Sequence, residues 1–129
     1  IEENFKKDPE AIDVVLNTGI VIFIIPEEVS KGLGLSDDMI ERMSGLDQNL
    51  DKILGEYKNI DEDARSLKAP LLLYLTQAPE AFIFEESGFK VDTKEDKGAL
   101  LRVSSRKKNY MANKVNEEAF YDFVVGSLS

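Results

Sequence analysis

The sequence predicts an α+β domain whose small sheet is mostly antiparallel. Three observations lead there. An apolar or small residue recurs at alternating spacings of four and three, at Met39, Met43, Leu46, Leu50, Ile53, Tyr57, Ile60, Ala64, Leu67, Leu71 and Tyr74. That spacing lays one apolar seam along a helical surface, and such a seam must be buried. Apolar and polar residues alternate between about 81 and 105, the pattern of a meander with one buried face. Asn116-Glu117-Glu118 then opens a last helix with Phe120, Phe123 and Val124 along one edge. The expected architecture is a sheet covered by a helical segment at about 37–75 and by this C-terminal helix. At 129 residues and 43% apolar content, one globular domain over 1–129 is expected.

Each element has a local reason. Asp8 can cap, Pro9 suits a first helical position and Glu10 complements the dipole, so a helix is expected at about 9–18. Ile20 to Ile25 is dominated by β-branched residues and stops at Pro26, which reads as a strand buried on both faces. A single helix over 9–25 is the competing reading, against which Gly19 stands. Pro26-Glu27-Glu28-Val29 forms one helical turn, and Ser36-Asp37-Asp38 caps the main helix at about 37–58. A second helix starts at Asp61-Glu62-Asp63, and Pro70 ends or kinks it. Residues 71–76 suit helix or strand, with a lean to helix. Strands at 81–86 and 89–93 flank a tight turn at Ser87-Gly88. Lys94 to Gly98 is a polar loop before a third strand at 99–105. Phe89, Val91, Leu101 and Val103 are expected on the buried face of this meander.

Composition removes whole classes of chemistry. With neither Cys nor His, no disulfide, thiol nucleophile or imidazole base can be assembled from this chain. The charge of −9 is uneven. Residues 1–79 carry 8 basic and 16 acidic side chains, whereas 80–129 carry 8 and 9. Gly98 to Asn116 holds Arg102, Arg106, Lys107, Lys108 and Lys114 with no acid. The longest apolar run, Ile20–Ile25, is far too short to span a bilayer. No signal peptide is visible, and a cytoplasmic protein without membrane contact is expected.

Two clusters are candidate sites. Arg102, Arg106, Lys107, Lys108, Tyr110 and Lys114 join cations to an aromatic ring, a pattern that grips phosphates while a base stacks. A solvated connection explains the same residues. Glu85, Glu86, Asp92 and Lys94 carry the residue types of a metal-dependent nuclease on adjacent strands, but solvated turn charges are the favoured explanation. The seam most simply packs inside the monomer.

The expected function is a non-enzymatic, regulatory protein–protein interaction module: an adaptor, inhibitor or assembly subunit. Its partner is another protein, with a homodimer as one form of that contact. The rivals are a weak nucleic-acid-binding domain using the 102–114 stripe and a metal-dependent phosphodiesterase. No catalytic residue, metal ligand or cofactor is expected.

Overall fold

The computed structural model describes residues 3–61 and 65–127. Its contacts divide into two compact units. One comprises Ile1–Glu27 and Ile83–Asn113, the other Glu28–Phe82 and Lys114–Ser129.

The first unit is built on a sheet with two short helices. Helix α1 spans Glu3–Lys7 and α2 spans Pro9–Leu16. Asp8 caps α2 by accepting from the Ala11 amide at 3.0 Å, and Pro9 takes the first turn, where a missing N–H costs nothing. The strands are β1 (Phe23–Ile24), β2 (Phe82–Val91), β3 (Leu100–Val103) and β4 (Asn109–Val115), in the order β1-β4-β2-β3. β1 runs parallel to β4, with Phe23 opposite Tyr110, whereas β2 and β3 are antiparallel. The sheet is therefore mixed and not mostly antiparallel.

Three sequence expectations are corrected here. The β-branched run at Ile20 is a strand only at Phe23–Ile24, and it is not buried on both faces. Ile20 and Val21 are exposed, and only Ile24 is buried. The expected turn at Ser87-Gly88 is the middle of one continuous strand, β2. A Cβ at Gly88 would collide with the Val103 carbonyl oxygen, so glycine is needed for close strand approach, not for a turn. The true turn is the polar loop after Asp92. The register sets Phe89 opposite Arg102 and Lys90 opposite Leu101. Opposed residues share a face, so Leu101 and Val103 lie with Lys90, while Leu100 lies with Val91. A one-residue slip in the expected pairing had reversed this strand's faces.

The core of this unit is Leu16, Ile24, Phe89, Val91 and Met111, with Phe5, Ile12, Ile22 and Leu100 packed against it. The helices serving that core are α1 and α2. The 37–75 segment and the C-terminal helix belong to the other unit.

That second unit is mainly helical. After the short α3 (Glu27–Ser30) come α4 (Asp37–Met43), α5 (Gln48–Tyr57), α6 (Lys68–Gln77) and α7 (Glu117–Ser127). Ser36 caps α4 through the Met39 amide. The expected long helix is interrupted at Gly45, whose φ of 87° lies in the left-handed region that side-chain-bearing residues avoid. Asp47 then starts α5 afresh, accepting from the Asn49 and Leu50 amides. Pro70 sits in the first turn of α6, so it neither ends nor kinks it, and 71–76 is helix. The expected acidic start at 61–63 falls mostly outside the described residues.

Buried Arg65 is satisfied by several oxygens. It donates to the Leu35 and Ile60 carbonyls, each at 3.1 Å, and to Asp37 at 2.8 Å. Tyr74 packs its ring 5.7 Å from Phe120 and 4.9 Å from Phe123. Phe120 is fully buried, a burial worth about 1.5–3 kcal/mol. Among the described residues no helix is long and apolar enough to cross a membrane.

Candidate functional site

The first unit carries an open pocket of about 220 Å³ where α1 and α2 meet the chain around β1. Phe5, Ile12, Val15, Leu16 and Ile22 to Ile25 line it, and among the described residues Asn4 brings the one polar side chain of the lining. Capping at Asp8 sets the turn from α1 into α2, so that Phe5 and Ile12 converge. The far wall is fixed by Asn109, which is 1% exposed. Its amide donates to the Leu16 carbonyl and accepts from the Ile22 N–H, each at 3.1 Å. The Ile22 carbonyl in turn accepts from the Tyr110 amide at 2.9 Å. With these wall groups paired, the described residues of the pocket offer an apolar surface and one amide side chain. That is suited to a flat, mostly apolar ligand carrying a polar edge.

At the pocket's edge Phe23 stacks on Tyr110, with ring centres 5.0 Å apart and planes 16° apart. Phe84 meets Phe23 edge-on at 5.3 Å. Phe23 remains 48% exposed, so part of this aromatic surface is open to a ligand.

The basic stripe divides. Arg102, on β3, forms a forked pair with Glu85, one bond at 2.8 Å from Nη2 to Oε1 and a second from Nε to Oε2. Lys107 turns inward and donates to the Leu16 carbonyl at 2.8 Å. Arg106 and Lys108 are exposed beside it. Tyr110 is committed to Phe23, and Lys114 lies exposed in β4 within the other unit's span. Arg106 to Lys108 thus connect β3 to a further strand, where the sequence suggested a connection straight to the last helix.

The carboxylates do not form a catalytic set. The Arg102 hydrogen bond holds Glu85 below the usual glutamate range. Asp92 lies below the usual aspartate range because backbone amides of Lys94, Asp96 and Glu95 donate to it. Both stay ionised at neutral pH and already have partners, so neither is a ready proton donor. Glu86 is exposed on β2. Among the described residues no three His, Cys, Asp or Glu side chains are grouped to hold a metal.

Sequence reasoning missed Asn4, Phe5 and Phe23 as a group. The available signal was Phe5, a lone aromatic between Asn4 and Lys6-Lys7, just ahead of the capped helix.

No family model and no curated protein matches the sequence. Solved structures do match. A plant nucleoside hydrolase superposes with a TM-score of 0.77 at 17% identity, over 98% of this chain and 47% of its own. An inosine-uridine preferring nucleoside hydrolase from Bacillus anthracis gives 0.75 at 19%, over 94% of this chain and 40% of its own. A purine-preferring ribonucleoside hydrolase from Gardnerella vaginalis gives 0.74 at 16%, over 98% and 46%. The chain has a nucleoside-hydrolase-like fold. It spans less than half the length of these structures.

This likeness overturns the expected function. The three structures that share the fold are described as nucleoside hydrolases, and none of them as a regulatory adaptor or inhibitor. The seam that suggested such a module is not one continuous surface. Met39, Met43, Leu71 and Tyr74 are core, while Leu46, Ile53, Tyr57 and Ile60 are exposed.

Proposed function

We propose that the protein acts on nucleosides, cleaving the N-glycosidic bond between base and ribose with water. The observation that carries this reading is the fold likeness to three nucleoside hydrolases over 94–98% of the chain. The pocket between α1, α2 and β1 agrees with it. A nucleobase is flat, largely apolar on its faces and polar along its edge, and the apolar lining with Asn4 matches that chemistry.

The reaction joins a water oxygen to the ribose carbon and releases the base, whose nitrogen takes a proton. The transition state gathers positive charge on the sugar, as in glycoside hydrolysis generally, and calls for an activated water and a protonated leaving group. Glu85 and Asp92 do not fill these roles, since both are ionised and occupied. On this reading the pocket contributes binding and orientation of the base, and the proton-transfer groups come from elsewhere in the protein.

The test is base release. The complete gene product carrying these 129 residues is incubated with inosine, uridine and adenosine, and free base is measured by chromatography. The reading expects saturable release of at least one base. It also expects Val15→Trp, which narrows the pocket mouth, to raise KM at least tenfold. Absence of base release from all three nucleosides would contradict it.

A further inference from the structure

We propose that the protein recognises nucleoside monophosphates, with the connection Arg106–Lys108 holding the phosphate of a ligand whose base enters the pocket. The inference rests on the nucleoside reading above and names the form in which the nucleoside is bound. Lys107 is half-buried and donates to the Leu16 carbonyl at 2.8 Å. Leu16 ends α2 and lines the pocket. A lysine at a helix end can serve merely to satisfy a last carbonyl. Here Asn109 already donates to the same oxygen at 3.1 Å, so that carbonyl has a partner without the cation. An ammonium has three N–H donors, and Lys107 spends one of them on Leu16. Among the described residues no carboxylate pairs with Arg106, Lys107 or Lys108. In a chain of 25 acidic and 16 basic side chains, three adjacent cations without a carboxylate are poised for an anion from outside.

Size and charge indicate which anion. At about 220 Å³ the pocket falls short of the roughly 300–1,000 Å³ that encloses a drug-sized ligand. It therefore takes a base and leaves the remainder of the ligand outside. Lys107 is anchored to the pocket wall through Leu16, which sets a cation beside that remainder. A phosphate monoester carries about −1.5 to −2 charges near neutral pH and three acceptor oxygens, which three cations match. A long polyanion fits less well, because the net charge of −9 repels it at a distance.

Calorimetric titration of the 129-residue chain with inosine and with inosine 5′-monophosphate tests this. The monophosphate should bind at least tenfold more tightly at low salt, with the advantage shrinking as salt rises. Arg106→Gln combined with Lys108→Gln, both at exposed positions, should remove most of that advantage and leave inosine binding as in the wild type. Lys107→Met should also remove it, with thermal melts to establish that each variant folds. The exposed pair carries the test where Lys107→Met destabilises the fold. Equal affinity for the two ligands would overturn the inference and leave the nucleoside reading standing. An advantage that survives in the folded variants would overturn it by placing the phosphate elsewhere. Binding of neither ligand would overturn it together with that reading.

Discussion

The buried side-chain amide of Asn109 donates to the Leu16 carbonyl at 3.1 Å, tying the end of α2 to the start of β4. The same side chain accepts from the Ile22 amide, which leads into β1. Asn109→Ala should therefore loosen the pocket wall. The Leu16 carbonyl keeps Lys107 as a donor, but the Ile22 N–H loses its acceptor. One unsatisfied buried donor costs about 1–3 kcal/mol, and urea unfolding should show a loss of that size. Lys107→Ala alone should cost less, because Asn109 still serves Leu16. The double variant should lose more than the sum, since only then is the Leu16 carbonyl left bare.

Gly88→Ala tests the close approach of β2 to β3. The added methyl would meet backbone at Val103 and the Ser105 Cβ at 2.7 Å, neither of which is a flexible side-chain tip. Overpacking of this kind costs about 1–3 kcal/mol. A turn glycine at φ < 0 would tolerate alanine, so an unchanged melting temperature would return Gly88 to the role first expected for it.

The seam separates two neighbours on α5. Leu54 is 4% exposed and Ile53 is 50% exposed. Leu54→Ala should cost about 2–5 kcal/mol through lost burial and cavity formation. Ile53→Ala in the same chain should stay within about 0.5 kcal/mol, as exposed substitutions usually do. Equal losses would mean that the period of the sequence, and not the break at Gly45, decides which side of α5 is buried.

The Asp92 loop gives stability a pH dependence. Hydrogen bonds from the Lys94, Asp96 and Glu95 amides favour the ionised form, so the folded-state pKa lies below the unfolded one. Such a group contributes its full stabilisation above the unfolded value, and loses it as pH falls through the folded value. The wild-type advantage over Asp92→Ala in urea midpoint should be constant near neutrality and shrink below about pH 4. A gap that widens on acidification would contradict this sign.

Local signals were legible wherever one residue determines the geometry. The caps at Asp8, Ser36 and Asn116 all make the expected amide contacts, because a short polar side chain beside an apolar run has few other uses. Pairing was not legible. Nothing local distinguishes a glycine at a turn from one beneath a neighbouring strand, so Gly88 was misplaced and the β3 faces were reversed. β4 was missed because its cationic approach, Arg106 to Lys108, reads as solvated chain, while buried Met111 and Ala112 are too few to outweigh it. The pocket was illegible for a similar reason. Its walls come from residues 4–25 and are braced by Asn109, a contact spanning 93 positions to Leu16.

The central claim is that a nucleoside occupies the pocket beside α1, α2 and β1. Backbone amide NMR of the complete gene product during titration with inosine and uridine tests it most directly. Saturable shifts should concentrate at Phe5, Ile12, Val15 and Phe23, with Val15→Trp abolishing them while the rest of the spectrum stays folded. Saturable shifts confined to other parts of the chain, or none with either nucleoside, would contradict it.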